Sequence, residues 1–205
     1  MTQITGILLA AGSSKRFGSD KLMQTLPSND LVAVRACRNL LQGTDRVLAV
    51  VRPGNQVLVE RLQAEGATVT VCTQANLGMG NSLAFGVNAS PEAFAWLVAL
   101  ADMPWIDPSS IRKVADALRS GALIAAPVWQ GQRGHPVGFS RILRSELIDL
   151  NGDTGAKSVL QSHKKQLHLI ECDDPGILMD IDHPDDLQHL NDNVNNDFRK
   201  LKSSN

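Results

Sequence analysis

The chain is short of the features that mark several protein classes. Its three cysteines, Cys37, Cys72 and Cys172, lie far apart and form no C-x-x-C pair. That argues against a disulfide frame or a zinc ribbon and suits buried thiols in a reducing compartment. The histidines form no H-x-H or H-E-x-x-H pattern, so transition-metal catalysis has no support. No apolar run is long enough to span a bilayer, and the opening MTQITGILLAAG lacks a basic leader region. The expectation is a cytoplasmic protein with no membrane partner. With a formal net charge of −1 there is no general basic field to attract nucleic acid. The sequence has neither the G-x-x-x-x-G-K-[ST] loop nor the G-x-G-x-x-G dinucleotide fingerprint, and no internal repeat.

What is present is enough apolar residue, 43% of 205, to bury a core. The length suits one domain, expected over 1–190, with a polar, Asn-rich and charged tail over 191–205 that should fray. Apolar residues run on without alternating in 4–9, 46–51, 95–100 and 123–128, as strands buried on both faces do. A β-branched strand is expected over 68–72 and a half-exposed one over 166–171, with a last short strand over 178–182. Helical spacing marks 31–41 and 109–119, and helices are also expected over 56–64, 78–88, 141–150, 155–163 and 184–190. Strands alternating with crossover helices predict an α/β fold, a doubly wound and mostly parallel sheet with helices on both faces. Ligands collect at the carboxyl ends of such strands.

Three of the loops at that edge carry chemistry. After the first strand, Ala10-Ala11-Gly12-Ser13-Ser14 lets the backbone turn tightly and approach a ligand, and Arg16 and Lys21 follow with Gly18 between them. Bare N–H groups and two cations suit a polyphosphate. After the fourth strand, Asp102 precedes Met103-Pro104. A carboxylate there needs a partner; it can cap the next helix, form a structural ion pair, or hold Mg²⁺, which favours few carboxylates plus phosphate oxygens and water. Asp180 and Asp182 in DIDHPDD can supply a further carboxylate, and alternation in a strand would put both on one face. Asp185 and Asp186 read as acids of a first helical turn. In Gln74–Ser82, glycines around a helix start either cap it or turn N–H groups toward a base or sugar. His135 before Pro136 is either a loop constraint or a ligand contact. Trp96, Trp105 and Trp129 are scattered and read as core or rim.

The stretch AAGSSKRFGSDK resembles the AAG-x-S-x-RFG-x-x-K signature that opens nucleotidyltransferases acting on nucleoside triphosphates, and it is most similar to the MocA-like molybdenum cofactor cytidylyltransferases. ADMP, GMGNS, RGHP, GDTGAK and DIDHPDD resemble that family's later motifs, in the family's order. The resemblance implies that Arg16, Lys21 and Asp102 are catalytic. It implies that Leu9, Ala10, Ala11, Gly12, Ser13, Ser14, Gly80, Ser82 and His135 line the nucleotide and acceptor. Asp102 and Asp182 would hold the metal, Mg²⁺ with Mn²⁺ able to stand in, and Lys157 stands where relatives often carry an arginine facing the acceptor phosphate. The implied reaction transfers CMP from CTP to the phosphate of a molybdenum-pterin, with a molybdoenzyme of the xanthine dehydrogenase type as partner. Ala10-Ala11-Gly12, rather than a paired glycine, resembles the cytidylyl group. A guanylyltransferase on the same cofactor, a cytidylyltransferase on a sugar or polyol phosphate, and a non-catalytic cofactor-delivery factor stand as alternatives.

Overall fold

A computed structural model describes residues 2–12, 17 and 20–187. Its centre is β1 (Ile4–Ala10), buried along nearly all its length, as the unbroken apolar run demands. β2 (Arg46–Val51) and β4 (Ala95–Leu100) flank it in parallel, Ile7 facing Leu48 on one side and Val98 on the other. β3 (Thr68–Val71) pairs with β2 at the edge, which is why its residues are exposed or only half-buried.

The sheet is mixed beyond β4. β5 (Ile124–Trp129) turns back through β6 (Gln132–Arg133) and β7 (Val137–Ser140), both antiparallel to it. β7 also pairs antiparallel with β4, so β5 runs parallel with the central strands. β6 and β7 are two parts of one returning strand, parted at Gly134–His135–Pro136, where the His135–Pro136 bond is cis. β8 (Leu167–Glu171) pairs in parallel with β5. Among the described residues these eight strands form one sheet.

Helices cover both faces. α1 (Val32–Gly43) and α4 (Pro108–Arg119) bury Val32, Ala33, Ala36, Cys37 and Leu40, and Ile111, Val114, Ala115 and Leu118, against one face, with α2 (Gln56–Ala64) beside them. α3 (Met79–Asn88), the short α5 (Arg144–Ile148) and α6 (Lys157–Ser162) lie on the other, around Ile7, Leu83, Trp96 and Phe139. Trp96 is fully buried and its indole N–H donates to Ser90 Oγ at 2.9 Å. Each such side chain contributes about 1.5–3 kcal/mol by leaving water. All three cysteines are buried and free. No helix of the described residues is long and apolar enough to cross a membrane.

Three expectations are corrected. No strand forms over 178–182: a 3-10 turn at Pro175–Leu178 leads into extended chain that joins no ladder. The long helix expected over 141–150 is a 3-10 turn, Arg141–Leu143, followed by α5. From the helix expected over 184–190, Pro184–Leu187 form a 3-10 turn. The tail expected over 191–205 lies outside the described residues.

Candidate functional site

The parallel strands end at one edge, and Asp102 stands there just beyond β4. Ala101 donates to Leu9 O at 3.1 Å, tying this loop to the end of β1. Beneath the loop, the buried Asn39 of α1 donates through Nδ2 to Pro104 O (2.9 Å) and Ile106 O (3.0 Å). Asp174 pins the far side: its carboxylate accepts from Asp107 N (2.9 Å) and Gly176 N (3.0 Å). A Cβ at Gly176 would run into the Trp105 carbonyl, so only glycine allows this approach.

The strap that follows, 177–182, lies along the loop. Ile177 O accepts from His135 N at 2.9 Å, and Ile181 N donates to Asp102 O at 3.0 Å. That last bond seats Asp180 and Asp182 on either side of Ile181 next to Asp102. The turn after them is held by Asp186, whose Oδ2 accepts from the backbone N–H of Asp182 (2.8 Å) and of His183 (2.7 Å).

Asp102, Asp180 and Asp182 each bring a carboxylate oxygen to within 4.8 Å of the others. Lys21 reaches into this trio, its Nζ 2.7 Å from Asp102 Oδ2 and 3.0 Å from Asp182 Oδ1. Burial alone would lower the Lys21 ammonium, but hydrogen bonds and charge from Asp102 and Asp182 outweigh it and hold the group above its ordinary value. Burial raises the Asp180 carboxyl, and the charges of Asp102 and Asp182 raise it further. Asp102 Oδ1 is buried with no hydrogen-bond partner among the described residues. An unsatisfied buried carboxylate oxygen beside two further carboxylates is a hard, all-oxygen donor set, which fits Mg²⁺ or Mn²⁺.

Lys21 itself is well anchored. It opens the 3-10 turn Lys21–Met23, capped by Asp20, whose carboxylate accepts from Leu22 N (3.3 Å) and from Asn55 Nδ2 (2.7 Å). β1 ends at Ala10, Ala11 and Gly12 lead out of it, and no described residue stands where a Cβ on Gly12 would point. Ser13, Ser14, Arg16 and Gly18 lie outside the described residues.

Gly80 and Ser82 stand at the start of α3, packed against the loop that precedes α6. Gly80 N donates to Gly152 O at 2.7 Å, and Asn81 Oδ1 accepts from Gly152 N at 2.9 Å. A side chain at Gly80 would collide with the Asn151 backbone. The Ser82 hydroxyl is buried and faces Gly78 O at 3.5 Å. Next to them a cavity of about 250 Å³ is lined by apolar Leu9, Leu83, Leu100 and Phe139, with Arg133, His135 and Lys157 also in its wall. Burial, helped by the Arg133 charge, lowers His135 to about 4, so its imidazole is neutral at pH 7. Its Nδ1 is buried without a partner among the described residues.

The structure thus gathers Lys21, Asp102 and Asp182, from segments far apart in the chain, and places Leu9 and His135 in one cavity wall. Sequence reasoning passed over Asn39, Asp174 and Asp20, which hold the site's backbone and carry no motif of their own. It gave Asp180 less weight than Asp182, whereas the geometry brings both to Asp102.

Comparison with known proteins agrees with this architecture. The model of the MobA-like NTP transferase domain matches residues 6–167. The chain is 28% identical over 195 residues to nicotine blue oxidoreductase of Paenarthrobacter nicotinovorans, covering 91% of this chain and 96% of that protein. It is 27% identical over 194 residues to purine catabolism protein PucB of Bacillus subtilis (strain 168), covering 89% and 93%. Among solved structures, Rv0371c of Mycobacterium tuberculosis H37Rv matches with a TM-score of 0.78 at 27% identity, over 92% of this chain and 97% of that one. Rv0371c has also been solved in complex with manganese, a structure that matches with a TM-score of 0.77 at 25% identity, over 92% and 98%.

Proposed function

The chain belongs to the MobA-like NTP transferase domain family, and on that premise we propose that it transfers CMP from CTP to the phosphate of a molybdenum-pterin, releasing pyrophosphate. The observation that carries the reading is the trio of carboxylates at the strand edge with Lys21 between two of them. Hydride transfer, the kind of chemistry suggested by the name of the nicotine blue relative, is done by a cofactor and has no use for three convergent acids. Moving a nucleotidyl group needs that concentration of charge control.

In this reading Asp102 and Asp182, with Asp180 beside them, hold Mg²⁺ or Mn²⁺. When bound, such an ion supplies Lewis acidity and neutralises phosphate charge. The acceptor's phosphate oxygen forms a bond to the α-phosphorus as the bond to the β-phosphate oxygen breaks and pyrophosphate departs. Lys21 steadies the charge that builds on the leaving oxygens, and Arg16 is assigned the same task by its place in the opening motif. The backbone of Leu9, Ala10, Ala11 and Gly12 faces the phosphates, and Ser13 and Ser14 are assigned to them by their place in the opening motif. Gly80 and Ser82 set the position of α3 beside the base. The choice of cytosine rests on Ala10-Ala11-Gly12 standing where guanylyl-transferring relatives pair glycines. His135 and Lys157 share a cavity wall with Leu9 and Leu100, and in this reading they serve the acceptor. The partner that receives the product is a molybdoenzyme of the xanthine dehydrogenase type.

The test is pyrophosphate release from CTP, GTP, ATP and UTP, each with the molybdenum-pterin acceptor, for the wild type and Asp102→Ala. CTP should support turnover, and the variant should lose about 10²-fold or more. Preference for GTP would move the assignment to guanylyl transfer. No pyrophosphate from any nucleotide, or an undiminished Asp102→Ala, would overturn the catalytic reading.

A further inference from the structure

We infer that Lys21 is the internal counter-cation of the acid trio: its ammonium and a divalent ion compete for Asp102 and Asp182, so the ion binds tightly only when a nucleotide's phosphates draw Lys21 away. The inference rests on the metal-nucleotide reading above and adds an order of assembly to it.

The geometry is specific. Lys21 Nζ contacts one oxygen from each of two carboxylates, Asp102 Oδ2 at 2.7 Å and Asp182 Oδ1 at 3.0 Å. These belong to the same trio whose oxygens come within 4.8 Å of one another. A divalent ion on those carboxylates would stand within a few ångströms of the ammonium, and two cations that close repel each other. The side chain can yield without disturbing its anchor. The backbone at Lys21 is held by the Asp20 cap and, through Asp20, by Asn55. The flexible four-carbon stem lets the ammonium reach another anion. A nucleotide's polyphosphate both attracts an ammonium and accompanies a divalent ion. Triphosphate and metal therefore enter as a pair, each removing the obstacle to the other. The ion alone meets a site already neutralised in part.

Mn²⁺ binding to the full chain, followed by loss of the free-ion electron paramagnetic resonance signal, tests this. Three proteins are compared: wild type, Lys21→Gln, and Lys21→Met as a second neutral side chain of similar length. Each is titrated with Mn²⁺ alone and with Mn²⁺ plus a non-hydrolysable CTP analogue, the latter read as signal loss beyond that of the Mn²⁺–analogue mixture without protein. Removing a like charge at this range should tighten Mn²⁺ alone by about 10- to 1000-fold, the size of effect neighbouring charges have on one another. Both variants should show it, and the gain from adding nucleotide should shrink accordingly. Equal or weaker Mn²⁺ binding in both variants would overturn the inference while leaving the metal-nucleotide reading in place. Failure of the wild type to bind Mn²⁺ even with nucleotide would overturn that reading, and the inference with it.

Discussion

Replacing Asn39 tests whether the loop bearing Asp102 is held from below. Asn39 is 6% exposed, and its single amide nitrogen serves two backbone carbonyls, Pro104 O and Ile106 O. Asn39→Leu keeps the volume and removes both donors. Each of the two carbonyls left buried without its donor costs about 1.5–2.5 kcal/mol, roughly 3–5 kcal/mol together. The better burial of leucine returns roughly 1 kcal/mol, so the expected loss is about 2–4 kcal/mol. For a domain of this size that is a fall in melting temperature of roughly 5–15 °C. Urea denaturation followed by circular dichroism measures it, read as a change in midpoint at constant slope. Asn39→Asp is the sharper control, because it sets an acceptor-only carboxylate against two carbonyl oxygens and should be worse than leucine. Pyrophosphate release, assayed well below the melting point, should also fall, since a catalytic group displaced by about 1 Å can cost on the order of 10²-fold. A midpoint within about 0.5 kcal/mol of wild type, or an aspartate variant as mild as the leucine one, would refute the argument.

Two further outcomes are expected. Gly176→Ala drives a methyl group into the Trp105 carbonyl; it should cost about 1–3 kcal/mol and weaken Mn²⁺ binding with nucleotide, and a wild-type melt and titration would contradict the packing described for the strap. His135 has its ordinary value of 6.5 lowered to about 4 in the fold, so between those pH values the unfolded chain binds the proton and the native one does not. Its contribution is complete above about pH 6.5 and is lost as pH falls toward 4, on the order of 1–3 kcal/mol in all. His135→Asn should flatten that part of the stability-pH curve, and an unchanged slope would show that another group is responsible.

The central sheet was legible because its strands declare themselves. Arg46–Val51 and Ala95–Leu100 are unbroken apolar runs between turn residues, and both begin and end where the sequence places them. The helix Gln56–Ala64, between Pro53-Gly54 and Gly66, was equally plain. The return strand was less so, since Gln132–Arg133 are two exposed polar residues whose pairing depends on β5 alone. Asp180 and Asp182 come to Asp102 for a reason different from the one the sequence suggested. No strand alternation brings them there; a single backbone bond from Ile181 to Asp102 does. Asn39 and Asp174 illustrate what one sequence conceals. An asparagine in an apolar helix face and an aspartate before Pro175 look like minor exceptions until the chain segments they hold are in contact. Arg16, Ser13 and Ser14 lie outside the described residues, so their part in the site rests on the opening motif.

The strap's position in the chain carries a consequence for synthesis on the ribosome. Every strand of the described residues is complete by Glu171, but Asp180 and Asp182 come after it. A nascent polypeptide can therefore have every described strand exposed to pairing while the acid cluster at the strand edge still lacks two of its three members. A product cut short before residue 180 would keep those strands but lose the buried Ile181 and two of the three acids, so its Mn²⁺ binding with nucleotide should be lost.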